Sequence, residues 1–280
     1  MIRKIAVAGA GTMGSGIALA ASQNGFAVIL FDKNETVLAK ARESVINNLR
    51  FLTDKNKITA EESSFIYKNI LFTSLLKDCV ADLVIEAIIE KMEAKTQLFR
   101  ELSEINNKEC IFASNTSSLS VSEIQSQIEH PHRVAGMHFF NPAHVMKLVE
   151  IVKGTHTSEE VVNQLKELSG KLNKTAVVCI DSPGFIVNRV ARHFYLEAMK
   201  LVELKVASVE EIDTIMEATG FKMGPFRLMD LIGMDINLAV SESLYNAMDK
   251  VPRLKPSQVQ VDKVAMGDLG RKSGKGFYNY

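Results

Sequence analysis

The sequence predicts an α/β domain, a mostly parallel sheet covered by helices with a helical hairpin inserted in it, followed by a smaller all-α domain. Three observations carry that prediction. Short β-rich runs alternate with helical or loop stretches up to Ile180, a glycine-rich turn joins the first of them to a helix, and beyond Asp181-Ser182-Pro183-Gly184 no convincing strand remains.

The expected strands are Ile5 to Ala8, Val28 to Phe31, Ile70 to Phe72, Leu83 to Ile85, Cys110 to Ala113, Val134 to Met137, Leu148 to Val152 and Ala176 to Ile180. Between the second and third, Asn34 to Leu52 and Ala60 to Lys68 read as two helices joined by the polar "TDKNKIT". Thr59 and Glu62 stand at capping-box spacing there, as do Ser120 and Glu123 further on. The Asp or Ser before Pro183 reads as a helix start, and helical periodicity follows from Phe185. These signals divide the chain into residues 1–183 and 184–280.

Composition removes some functions. The 33 basic residues balance the 33 acidic ones, leaving no global field to attract nucleic acid or an anionic membrane surface. Cys79, Cys110 and Cys179 never fall at zinc-site spacing, and Cys110 and Cys179 read as small buried hydrophobes in strand-like runs. Met1-Ile2-Arg3-Lys4 leads straight into the first strand, and no apolar run is long enough to span a bilayer. The expectation is a soluble cytoplasmic protein without nucleic-acid or membrane partners.

The glycine turn "GAGTMG" gains meaning from its context: it follows a strand, opens a helix, and is answered by Asp32 at the end of the next strand. Gly9 suits the tight turn, Gly11 lets backbone approach a pyrophosphate, and Gly14 allows close helix packing, with Thr12 and Met13 supplying first-turn amides for phosphate oxygens. This is the fingerprint of a Rossmann-type dinucleotide site. Asp32 can accept hydrogen bonds from both ribose hydroxyls and would repel a 2′-phosphate, so the expected cofactor is NAD, with Lys33 the one opposing feature.

A nicotinamide enzyme needs a proton-transfer group near the carboxyl ends of the strands. In "GMHFFNPAHVMKLVEIV", His138 closes an apolar run and Glu150 sits inside the next, on the face of Leu148 and Val152 if that run is a strand. A buried carboxylate needs a partner, and His138 is available; the pair is either a general base with its orienting acid or a structural histidine near an unrelated glutamate. The other histidines have no comparable setting. In "FASNTSSLS", Asn115, Thr116, Ser117 and Ser118 follow a strand and should face the cofactor crevice, either as site residues or as plain loop polarity.

Together, "GAGTMGSGIA", "VIEA" followed by Glu90 and Lys95, "SNTSSLS", "GMHFFNP", "LVEIV", "DSPGFIVNR" and "GRKSGKGFYNY" resemble the short-chain L-3-hydroxyacyl-CoA dehydrogenases over essentially the whole chain. The resemblance implies reversible hydride transfer between NAD(H) and C3 of a short-chain (S)-3-hydroxyacyl-CoA, as in 3-hydroxybutyryl-CoA and acetoacetyl-CoA. It makes His138 the base and Glu150 its partner. Ser117 would bond the substrate's 3-oxygen, joined by Asn188, one turn into the first helix of the second domain. Glu90, Lys95 and Asn141 would position the ribose and nicotinamide end of the cofactor, with Asn115 beside them. Arg50, Lys55 and Lys57, around the end of the hairpin, would meet the phosphates of coenzyme A; as plain chemistry they are equally a solvated charge run. A homodimer through the helical second domain is also implied.

Two stretches depart from the family pattern, Leu19 after "GSGIA" and "GMDIN" at Gly233 to Asn237, and neither carries a chemical role. "GRKSGKG" misses the phosphate-loop spacing, and "GFYNY" is expected to anchor the chain end by packing its aromatics. Rival readings are a gulonate-type sugar-acid dehydrogenase and a non-catalytic NAD-binding or structural relative.

Overall fold

The computed structural model describes residues 2–280. The chain divides into two compact units, Met1–Ser182 and Pro183–Tyr280.

In the first unit, β1 (Lys4–Ala8), β2 (Ala27–Phe31), β3 (Ile70–Thr73), β4 (Leu83–Glu86), β5 (Ile111–Ser114), β6 (Val134–Phe139), β7 (Leu148–Lys153) and β8 (Thr175–Ile180) form one sheet in the order β3-β2-β1-β4-β5-β6-β7-β8. The six strands from β3 to β6 run parallel, and β7 meets β6 antiparallel. All eight expected strands are present. Edge strand β8 leaves Val177, Val178 and Ile180 exposed, while the continuous apolar runs of the inner strands arise because both faces are covered: Ile5, Val7, Leu30, Ile85 and Met137 pack under α1 (Thr12–Gln23), α2 (Glu35–Asp54) and α6 (Glu159–Lys171). Ala6, Ala8, Val84 and Phe112 pack under α4 (Met92–Ile105) and α5 (Val121–Gln125) on the other face.

The hairpin of α2 and α3 (Ala60–Lys68) stands between β2 and β3. Asn34 caps α2 by accepting from Thr36 N–H, and Thr59 and Glu62 form the reciprocal box expected at α3. At α5 only half of the expected box forms. Ser120 accepts from Glu123 N–H, but its hydroxyl donates to Asp181, whose same oxygen also accepts from Ser122 N–H. Asp181, just after β8, thus holds the Ser120 hydroxyl and Ser122 N–H at the start of α5.

The second unit is helical: α7 (Val187–Glu203), α8 (Val209–Ala218), α9 (Pro225–Ile232), α10 (Met234–Ala247) and α11 (Gln258–Ala265) enclose Tyr195, Met199, Ile212, Phe226, Met229 and Met234. The helix start read at Pro183 is a turn instead. Gly184 and Phe185 take left-handed φ values of 72° and 48°, so α7 begins only at Val187 and Asn188 is its second residue, not one turn in. The tail is held by more than its rings. Buried Asp230 accepts from Phe277 and Tyr278 N–H and the Tyr280 hydroxyl, while Asp213 caps α9 through Phe226 and Arg227 N–H and takes the Tyr278 hydroxyl. Cys79 and Cys110 are buried, which pushes both thiols up to about 12, whereas Cys179 is only half-buried.

Candidate active site

The strand order places a topological switch between β1 and β4, where connections leave in opposite directions and a crevice opens beyond the carboxyl ends. The glycine loop lies there. Gly9 has a left-handed φ of 105°, and a Cβ on it would stand 2.5 Å from the Ala87 carbonyl oxygen after β4. A Cβ on Gly14 would stand 1.7 Å from the Gly9 carbonyl, so the turn closes only with glycine at both positions. Gly11 differs: its φ is −67°, and no protein atom lies within 4 Å of where its Cβ would be. Its small size leaves room above the backbone rather than relieving a contact within the protein.

Gly11 is also the N-cap of α1 and provides no side-chain cap, so the amides of the first turn, at Thr12, Met13 and Gly14, keep no side-chain acceptor of their own. Asp32, at the end of β2, ties the loop down by accepting from Ala10 N–H at 2.9 Å with one oxygen and from Asn34 N–H at 2.9 Å with the other. Its remaining lone pairs suit ribose hydroxyls. An anion-ready helix start, open space at Gly11 and an anchored carboxylate one strand away fit a dinucleotide.

Beyond β4 and β5 the polar residues form one network. Lys95, 1% exposed, donates to Glu86 Oε1 at 2.6 Å and to Glu90 Oε2 at 3.0 Å. Glu90 Oε1 accepts from the Thr116 hydroxyl at 2.5 Å, from Ser117 N–H at 3.0 Å and from both the N–H and hydroxyl of Ser118. Burial alone would raise the Glu90 carboxyl, but the Lys95 ammonium, the Thr116 hydroxyl and the Ser117 N–H outweigh it and hold it below its ordinary range. Asn115 accepts from Phe139 N–H at 2.9 Å, joining the end of β5 to the end of β6.

Antiparallel pairing of β6 with β7 sets His138 directly opposite Glu150. Their Nδ1 and Oε2 atoms lie 2.7 Å apart, with His138 6% and Glu150 1% exposed. Between the two readings left open for this histidine, the geometry is that of an imidazole oriented by a carboxylate: Glu150 accepting at Nδ1 selects the tautomer with its lone pair on Nε2. The Phe140 ring packs 4.5 Å from the imidazole, and the loop continues through Asn141 and a cis Asn141-Pro142 bond. Buried Lys174 donates to the Ala143 and Met146 carbonyls and closes that loop; burial pushes its ammonium down.

A cavity of about 430 Å³ opens beside the glycine loop, lined among others by Gly11, Lys40, Ser44, Asn48, Asn141 and His144. The sequence reading missed Lys40, Ser44 and Asn48. They stand at helical spacing on α2, a signal indistinguishable there from a solvated face. Of the three hairpin cations expected to meet coenzyme A, none lines this cavity: Arg50 lines a separate cleft of about 410 Å³ between α2 and α3, and Lys55 and Lys57 are exposed at the hairpin end. Glu86 and Lys174 were also missed, although an acid ending an apolar strand was a readable sign for the former.

Known proteins resemble this chain in sequence and fold. Residues 4–182 match the family described as 3-hydroxyacyl-CoA dehydrogenase, NAD binding domain, and residues 184–280 match 3-hydroxyacyl-CoA dehydrogenase, C-terminal domain. A 3-hydroxyadipyl-CoA dehydrogenase of Escherichia coli is 44% identical over 100% of this chain, which spans 59% of that protein's length. A probable 3-hydroxybutyryl-CoA dehydrogenase of Bacillus subtilis is 41% identical, covering 100% of this chain and 98% of that one. A crystal structure of (S)-3-hydroxybutyryl-CoA dehydrogenase from Ralstonia eutropha superposes with a TM-score of 0.94 at 36% identity, covering 100% and 99%.

Proposed function

Because the chain belongs to the 3-hydroxyacyl-CoA dehydrogenase family, an NAD-dependent group of oxidoreductases, we propose that it interconverts a short-chain (S)-3-hydroxyacyl-CoA and its 3-keto thioester, with 3-hydroxybutyryl-CoA and acetoacetyl-CoA as the pair. The observation that carries the reading is the 2.7 Å contact between His138 and Glu150 at the edge of the dinucleotide crevice.

Bound NAD would supply the hydride acceptor, or NADH the donor, held by the first-turn amides of α1, by Asp32 and by the polar ends of β4 to β6, with Glu90, Lys95, Asn115 and Asn141 assigned to its ribose and nicotinamide end. His138 takes the proton of the 3-hydroxyl on Nε2 in the oxidation and returns it to the 3-oxygen in the reduction. Glu150 holds the ring and stabilises the imidazolium formed in between. Ser117 and Asn188 are assigned the hydrogen bonds to the same oxygen, which offset the charge that builds on it. The coenzyme A portion is assigned to Arg50, Lys55 and Lys57 on the hairpin, outside the cavity that Gly11 and Thr12 line.

The test is NADH oxidation with acetoacetyl-CoA. Turnover supports the proposal, and activity on a free sugar acid with none on the thioester selects the gulonate-type rival. No activity on either selects the non-catalytic one. Because one relative is named for 3-hydroxyadipyl-CoA, the 3-ketoadipyl thioester is the third substrate, and a preference for it moves the assignment to an acyl chain ending in a carboxylate. Catalytic efficiency with NADH should exceed that with NADPH by at least about tenfold, since Asp32 opposes a 2′-phosphate; the reverse preference contradicts the role given to Asp32. We assign a cytoplasmic location, which fractionation checks; among the described residues no helix is long and apolar enough to cross a membrane.

A further inference from the structure

Glu86 has no place in the chemistry above, yet it is a carboxylate with 0% exposure at the very end of β4, beside the cofactor crevice. A buried carboxylate is costly unless every lone pair it presents is met. Here Oε1 accepts from Lys95 at 2.6 Å and from Ile88 N–H at 2.7 Å, and Oε2 accepts from the Ser114 hydroxyl at 2.7 Å. Lys95 is thereby gripped from behind. Its ammonium reaches forward to Glu90, and Glu90 in turn gathers Thr116, Ser117 and Ser118. The same Ser114 hydroxyl accepts from Thr116 N–H at 3.2 Å, so both ends of this chain of bonds return to the Ser117 loop.

We infer that Glu86 is a positioning residue: by fixing the Lys95 ammonium between two carboxylates, it sets Glu90 and, through Glu90, the loop that carries Ser117. It is assigned no contact with cofactor or substrate; its charge acts through Lys95, while its bond to the Ser114 hydroxyl is a second, uncharged tie to the same loop. Lys95 would otherwise be a long, flexible cation with a single half-exposed partner, free to follow Glu90 into solvent. With Glu86 behind it, the ammonium and everything it organises are ordered before a ligand arrives. The inference rests on the cofactor and substrate assignments proposed above.

The experiment is a double-mutant cycle with Glu86→Gln, Lys95→Met and the two combined, read as the NADH dissociation constant by fluorescence titration and as KM for acetoacetyl-CoA. Glu86→Gln alone should raise the NADH constant about tenfold, in line with losing one orienting charge pair, and should change nothing further once Lys95 is methionine. Equal losses in both backgrounds, or NADH binding by Glu86→Gln unchanged from the unsubstituted protein, overturn the inference. A purely structural role lowers the melting temperature and weakens binding equally in both backgrounds. Should Glu86→Gln fail to fold, Glu86→Asp keeps the charge but draws the carboxylate back from Lys95. It is expected to weaken NADH binding several-fold with Lys95 present and not in its absence, and equal effects in both backgrounds overturn the inference. Absence of acetoacetyl-CoA turnover in the unsubstituted protein contradicts the proposed reaction and leaves the NADH cycle to decide the role of Glu86.

Discussion

Two carboxylates define the site at the scale of single residues, and they do different things because their surroundings differ. Glu150 lies among apolar strand neighbours and meets the His138 imidazole at 2.7 Å, which orients that ring. Glu90 is bound by a cation and several donors, which leave its carboxyl below the ordinary value of 4.5. A carboxyl whose folded value lies below its unfolded one stabilises the fold above about pH 4.5, and that contribution is lost as pH falls through the folded value. Melting temperature should therefore drop between pH 7 and pH 3.5 by more in the unsubstituted protein than in Glu90→Gln; parallel curves would contradict the ion pairing seen here. The pairing of His138 with Glu150 was half legible in the sequence. A glutamate inside an apolar run demands a partner, but only the antiparallel register of β6 and β7 brings residues 12 apart in sequence face to face.

Among the elements, the β1–α1 turn was the most legible, since local chemistry alone dictates it: three glycines, each with a distinct steric task, and an acid on the next strand. Gly11→Ala separates the ligand's demand from that of the fold. Its φ of −67° suits alanine and no protein atom crowds the new methyl, so the melting temperature should stay within about 2 °C while NADH binding weakens at least about tenfold, as calorimetry and titration would record. An unweakened NADH constant would mean that the pyrophosphate passes elsewhere. Less legible were the ends of elements decided by distant partners. Asp181, which β8 delivers to the start of α5, takes the Ser120 hydroxyl and Ser122 N–H there, and the left-handed pair Gly184-Phe185 turned an apparent helix start into a turn. Lys40, Ser44 and Asn48 escaped notice since only the fold of the loop after β6 makes their face of α2 a cavity wall.

For the whole molecule, the sheet concentrates at one edge what the sequence scatters over more than a hundred residues, from Gly9 through Asp32, Glu90 and Ser117 to His138. The second unit presents Leu204, Val206, Phe221 and Met266 as exposed large apolar side chains, and we propose that it pairs two copies of the chain. Sedimentation equilibrium should then give about twice the 31.0 kDa chain mass, and a single-chain mass at micromolar concentration would contradict the pairing. The proposed reaction turns on proton transfer at one imidazole. Its most direct measurement is the turnover of His138→Ala reducing acetoacetyl-CoA, taken together with its NADH dissociation constant. A fall of about 10²–10⁴-fold in kcat with NADH binding kept is the result the geometry predicts, and turnover within about twofold of the unsubstituted enzyme would contradict it.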